Sequence, residues 1–441
     1  MPYRTIPSTS TRYALIAFDE NGKERNDPDG IDGRFSDRVL KDAQADPPTN
    51  VFFFSHGWKG DIDSAKDQYD RWITAMNKLD ADKQKMGSDF KPLWIGLHWP
   101  SQAWGQEELK GGAFDELTGD LDALKEHYVK ELGDTPEVRD ALNVIFQEQE
   151  NNAATLVLPQ HVTDAYNRLA AAIGYTAEGP GSAPEAEGTA FDPEAAFEAY
   201  DGASGDFAGG FLGRLLGPLR QLTFWTMKFR GRSIGEGGMQ DFIARLQEAL
   251  PKAYFHLMGH SFGCVVVSSI LEGKDGKKPL LRAVDSLVLA QGALSLWAYA
   301  DNVKNEGGKP GYFNAAFRHP AVRGPIVVTR SQNDKAVGMA YPLAVALVLS
   351  NPDFANEDLV PASLPLYGGL GTFGMRNVQN AVDLKMKPQT EDYAFENGKI
   401  YNLQSDAFIP DHNGIDGPEV AHAIWQAALH AMATKTIGGA G

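Results

Sequence analysis

The chain has 441 residues, 43% hydrophobic and 22% charged, enough apolar content for one large core or two modest ones and unlike a collagen, coiled-coil or disordered composition. Its formal net charge of −17 is concentrated in one segment, since residues 101–206 carry 22 acidic side chains against 5 basic ones and the remainder balances. No basic surface of the kind that binds nucleic acid is therefore expected, and the acidic stretch reads as a solvated helical face.

Residues 1–16 lack a basic stretch followed by an apolar one, and no run of about 18 apolar residues occurs along the chain. Neither a secretory signal nor a membrane span is expected, which makes the cytoplasm the default address and leaves only export by a non-classical route. A first strand is expected at residues 12–18, starting an N-terminal hairpin at a sheet edge through Asp19-Glu20-Asn21-Gly22. Apolar, β-rich runs follow at 51–55, 93–99, 254–258, 287–290, 325–329 and 400–403. Because they are apolar throughout instead of alternating, they suit a parallel sheet covered on both faces. Helical patterns fall between them at 64–78, 262–271 and 418–433, the last opening with Gly417-Pro418. The alternation implies an α/β fold with a mostly parallel, doubly wound sheet.

About 150 residues separate the second of these runs from the third, far more than one crossover needs. The expected organisation is a core of residues 1–100 and 250–441 with a large, mainly helical cap, 101–249, inserted between them. Residues 107–172 have helical spacing, whereas 175–210, rich in Gly, Ala, Pro and Glu, read as a mobile loop. Residues 207–233 differ again: Arg214, Arg220, Lys228, Arg230 and Arg232 stand among Phe211, Leu212, Leu215, Leu216, Leu219, Leu222, Phe224, Trp225 and Met227, with no acid. Such a density of large apolar residues favours a packed helix whose bases answer the acidic cap, and peripheral contact with lipid or an acidic partner is the alternative.

Gly259-His260-Ser261-Phe262-Gly263 lies between the apolar runs 253–258 and 264–270. Strand, sharp turn and helix in that order form a nucleophile elbow, so Ser261 is the candidate nucleophile. A serine hydroxyl needs a base and a group that orients the base. Asp334 follows the run ending at Thr329-Arg330 and is the candidate acid, ahead of Asp285, Asp353 and Asp406. The histidines beyond it are His412, His422 and His430. His412 sits in a loop before the last helix and is the candidate base, while the other two fall on that helix. Asp411 points away from its neighbour and has no assigned role.

Two backbone N–H groups are expected to hold the oxyanion, those of Phe262 and of Trp58. Gly57 permits close approach there, and His56 is assigned to holding that loop. Cys264 excludes internal disulfides and a cysteine metal cluster, and reads as a buried structural thiol. His256 and His260 do not converge as a metal pair would, and Gly368 to Gly374 lacks the strand and lysine of a nucleotide loop, reading as a flexible loop near the site. No metal or other cofactor is expected.

His56-Gly57-Trp58, Gly259-His260-Ser261-Phe262-Gly263, Asp334 after a strand and His412 before the last helix together resemble the α/β-hydrolase superfamily. Residues 228–235 and 324–338 are similar to stretches of poorly characterised bacterial members. The resemblance covers the chain except the cap. It implies the α/β-hydrolase fold and a serine hydrolase that cleaves carboxylic esters through an acyl-enzyme, without a cofactor, on a small ester or lipid-like substrate. An amidase or peptidase with the same triad, a non-catalytic binding protein on this fold, and a lipase-like effector acting on membrane lipids are the other readings.

Overall fold

The computed structural model describes residues 3–19, 22–26, 33–57, 62–101, 120–151, 157–175, 191–199, 211–274, 278–303, 310–318, 321–334, 364 and 368–437. Its frame is a sheet of nine described strands: β1 (Tyr3–Thr5), β2 (Arg12–Ala17), β3 (Asn50–Ser55), β4 (Pro92–His98), β5 (Tyr254–His260), β6 (Ser286–Ala290), β7 (Ile326–Arg330), β8 (Ala381–Lys385) and β9 (Ile400–Gln404). They are ordered β1-β2-β4-β3-β5-β6-β7-β9-β8. Only β1 runs antiparallel to its neighbour. The architecture is therefore α/β with a mostly parallel sheet.

Side chains of a strand alternate between faces, and here both sets are apolar. Phe53, Ile95, Leu257, Leu289 and Val328 join one cluster, which the helices α1 (Phe35–Ala45), part of α8 (Phe211–Ile234), α9 (Gln240–Ala249) and α10 (Gly263–Glu272) cover. Phe52, Phe54, Trp94, Met258 and Val327 join the other, under α2 (Ile62–Asn77) and the C-terminal helix α13 (Pro418–Ile437). Burial on both faces explains why the strands read as unbroken apolar runs. Shorter helices, α3 (Asp80–Lys85), α11 (Ala315–Arg318) and α12 (Leu370–Phe373), fill the connections.

Between β4 and β5 lie α4 (Leu121–Leu132), α5 (Pro136–Asn151), α6 (Gln160–Ala172), α7 (Pro193–Ala199) and α8. They have an apolar cluster of their own, from Leu124 to Leu222, distinct from the two that sandwich the sheet. The 24-residue helix α8 belongs to both sides of this division. Leu215, Leu216, Leu219 and Leu222 face the inserted helices, whereas Phe224, Met227 and Ile234 enter the sheet cluster. Where α8 ends, Gly235 meets α10: a Cβ at Gly235 would stand 2.5 Å from the Val266 carbonyl oxygen and 2.6 Å from Ser269 Cβ.

Several expectations need correction. The partner of residues 12–17 precedes them: β1 pairs with β2 through a turn with Ser8 at φ +63°, and β1, not β2, forms the edge. Three residues are too short to show a pattern, and the predicted turn after Phe18 leads only to single bridges, Phe18 to Glu24 and Asn26 to Arg34. Within the expected loop 175–210, α7 is a capped helix whose Phe197 is buried, the Asp192 side chain accepting from Ala195 N–H; the rest lies largely outside the described residues. Helix α8 is packed as expected, and several of its bases have partners among the described residues outside the acidic side chains of the inserted segment. Arg230 donates to the carbonyls of Pro100 and Glu131, Arg232 pairs with Glu236, and Arg214 and Lys228 lie over the rings of Phe197 and Phe224. Residues 368–374, expected as a flexible loop near the site, form a buried turn around α12 whose carbonyls and N–H groups bond the segments that follow β6 and β7.

β8 carries Asp383 in a half-buried edge strand, where it pairs with Arg376 at 2.7 Å, so no apolar run announced it. No described helix is long and apolar enough to cross a membrane.

Replacing Gly235 with Ala forces a methyl group against the backbone of α10. Overpacking of this kind costs about 1–3 kcal/mol, so Gly235→Ala should lower the denaturant midpoint at an unchanged m-value. A variant as stable as the parent would show that the two helices separate freely.

Candidate active site

At the end of β5 the chain turns through Ser261, a non-glycine residue at φ +54°, and enters α10 two residues later. A left-handed serine costs on the order of 1–3 kcal/mol and persists only where its surroundings enforce it. Here they do. Ser261 N–H donates to the Ala290 carbonyl and the Ser261 carbonyl accepts from Ala293 N–H, both at 3.1 Å, pinning the turn to the exit of β6. The flanking glycines make the turn sterically possible. A Cβ on Gly259 would lie 2.5 Å from Gly263 carbonyl carbon, and one on Gly263 would collide with the Ser55 carbonyl of β3.

Ser261 Oγ is fully buried and hydrogen-bonds to no described residue. A buried hydroxyl without a partner costs about 1–3 kcal/mol, and native chains keep few of them. Gly57, after β3, presses on it: a Cβ at Gly57 would overlap Ser261 Cβ and stand 3.0 Å from Ser261 Oγ. Ser101 Oγ donates to the Gly57 carbonyl at 2.8 Å, and His56 Nδ1 is 2.8 Å from the same oxygen. His56 Nε2 accepts from Trp99 N–H, and the backbone N–H of His56 donates to Tyr69 Oη. His56 thus holds the loop, as expected from sequence. Trp58 lies outside the described residues.

Asp334 and His412 meet. The Nδ1–H of His412 donates to Asp334 Oδ2 at 2.9 Å, with both residues buried, which leaves Nε2 as the basic nitrogen. The loop carrying His412 is tied to the elbow through its neighbour: His260 Nδ1 accepts from Gln68 Nε2 at 2.9 Å, so its Nε2–H donates to the His412 carbonyl at 2.8 Å. The rings of His260 and His412 are 4.8 Å apart. Ser261, Asp334 and His412 follow β5, β7 and β9, which stand in the parallel order β5-β6-β7-β9, so their loops open on one rim. Ser261 Oγ makes no hydrogen bond to the His412 imidazole.

A fourth side chain joins them that sequence reasoning missed. Gln291, at the end of β6 with φ +45°, donates through Nε2 to Asp334 Oδ2 at 2.9 Å and to the Gly371 carbonyl at 3.1 Å. Gly371 is confined there, since a Cβ would lie 3.0 Å from Asp334 Oδ2. Nothing about a lone glutamine in Ala290-Gln291-Gly292 signals this, because the role arises from neighbouring strand ends.

The rival residues are occupied elsewhere. Asp285 accepts from Phe255 N–H and pairs with Arg323; Asp406 accepts from Gln332 N–H; Asp411 caps the turn at Asn413 and Gly414; Asp353 lies outside the described residues. His422 forms a second buried pair with Asp82 at 2.6 Å, but its Nε2 is bonded to the Glu391 carbonyl, so no base is left over. With Asp392 these make the described group whose geometry could suit a metal, and Lys85 reaches both carboxylates as the resident cation. His256 is locked between Asn50 and Ser286, His430 bonds the Tyr393 carbonyl, and burial pushes the Cys264 thiol well up.

Burial depresses two of the framework histidines. His56, with His98 nearby adding repulsion, is lowered to about 3, and so is His256, with Arg323 adding to the effect. Both are neutral in the folded chain at pH 7, and the unfolded chain takes up their protons below about 6.5. Their contribution is complete above that value and is lost as pH falls toward 3, by up to about 1.4 kcal/mol per unit for each histidine. Unfolding free energy measured at pH 7 and pH 5 should therefore fall, and His256→Gln should flatten the slope by about one proton. A slope unchanged by the substitution would mean that His256 already protonates in the native state.

Comparison with protein-family models, with curated proteins and with solved structures gave no match.

Proposed function

We propose that the chain is a serine hydrolase of the α/β-hydrolase fold that cleaves carboxylic esters. Ser261 Oγ attacks the acyl carbon and passes its proton to His412 Nε2, while the imidazolium remains bonded to Asp334. The oxyanion that forms is held by the Phe262 N–H, where α10 begins and its dipole favours negative charge, with the Trp58 N–H as the second donor expected from the sequence. Collapse breaks the ester bond, and the departing alkoxide takes the proton from His412. Water then attacks the acyl-enzyme, giving its proton to His412, and the released Ser261 oxygen takes that proton back.

The observation that carries this reading is the strained, buried serine with an unbonded hydroxyl, seated on the rim where an aspartate already orients an imidazole. Strain and an orphaned polar atom are both costs, and their coincidence at one residue has a natural account in catalysis. The chain order of nucleophile, acid and histidine agrees with it. A structural serine at this place gains nothing from a left-handed backbone.

The lipid-directed reading loses support from α8. Its described large apolar side chains are mostly buried, and among them Phe229, 45% exposed, stands out to solvent. Little apolar surface remains there for a bilayer.

Chromogenic esters of increasing acyl length provide the test. Ser261→Ala and Asp334→Asn should each lower kcat on the preferred ester by on the order of 10³ to 10⁴, with the thermal midpoint retained. Turnover that survives Ser261→Ala would refute the assignment of the nucleophile. Hydrolysis of peptide amides in preference to all esters would redirect the same machinery to amidase chemistry.

A further inference from the structure

We infer that Gln291 is a positioning residue that fixes the Asp334 carboxylate and, through it, the ring of His412; this rests on the serine hydrolase reading. The side chain is fully buried and its polar atoms are all engaged. Thr329, in β7, decides which way the amide faces. The Thr329 hydroxyl accepts from Gln291 N–H at 3.0 Å, and its single proton is donated to Gln291 Oε1 at 2.9 Å. The amide nitrogen is thereby turned to the other side, where Asp334 Oδ2 and the Gly371 carbonyl each receive one of its protons.

Asp334 Oδ2 consequently accepts from two directions, Gln291 Nε2 and His412 Nδ1, each at 2.9 Å. Two fixed donors on one oxygen leave the carboxylate little freedom to rotate, and the imidazole inherits that constraint. Partners of this kind orient the groups that do the chemistry, and their loss typically costs 10–100-fold. Among the described residues, Asp334 on Nδ1 and the ring of His260 face the imidazole, and Gln291 bonds Asp334. Without the amide, one of the two donors on Oδ2 is gone and more of the carboxylate's charge bears on the imidazolium, which it holds more firmly. Gln291 therefore acts on orientation and on the pH at which the base becomes free.

Gln291→Asn tests this, because asparagine is at ease at φ +45° yet is one methylene too short to reach Oδ2. Ester hydrolysis by the full chain should show kcat lowered about 10–100-fold, KM unchanged, and the acid limb of the kcat/KM profile moved to higher pH. Thr329→Val, which keeps the shape but frees the amide to turn, should shift the same limb in the same direction by a smaller amount. Unchanged kcat in Gln291→Asn, or a lower kcat with the acid limb unmoved in both variants, would overturn the inference. If Ser261→Ala retains turnover the underlying reading fails instead, and the two failures are distinguished by that single control.

Discussion

Gly57 and Ser261 come from segments more than 200 residues apart, and their backbones are so close that a methyl group between them would overlap the serine Cβ. That contact fixes how near β3 and β5 must lie at the rim, and the rest of the site is arranged around it. Gly259 and Gly263 remove the side chains that would keep the elbow from closing, and the bonds from Ser261 to the exit of β6 hold the turn in a backbone shape that serine otherwise avoids. The cost is concentrated at one residue, and the sheet, buried on both faces, is rigid enough to bear it.

The sequence made the central strands readable because a doubly covered parallel sheet needs apolar residues at every position, and Phe52, Phe53 and Phe54 satisfy both faces in turn. The elbow was legible for a local reason, since its glycines and its flanking elements are contiguous. Order along the chain singled out Asp334 and His412, and these two side chains meet. Gln291 could not be found in this way, because its meaning comes from Thr329, Asp334 and Gly371, three residues brought to it from later segments. β1 and β8 were missed for opposite reasons: one is three residues long, and the other places Asp383 on an edge where a charge is tolerated.

The inserted helices show how a local pattern can mislead about partners. The bases of α8 stand opposite an acidic segment in the sequence, and among the described residues several of them meet backbone carbonyls, aromatic faces and Glu236. Charge totals do not specify pairing; distance does. The same helix joins the inserted cluster to the sheet cluster and touches α10 at Gly235. Motion of the inserted helices would reach the elbow through that crossing.

The account stands on the convergence of Ser261, His412 and Asp334 at one rim. The most direct measurement is a crystal structure of the chain after reaction with a fluorophosphonate. It should show phosphorus bonded to Ser261 Oγ, the phosphonyl oxygen within hydrogen-bond distance of Phe262 N–H, and His412 turned toward the modified oxygen while still bonded to Asp334. Phosphorus on another residue, or a modified Ser261 with His412 released from Asp334, would contradict it.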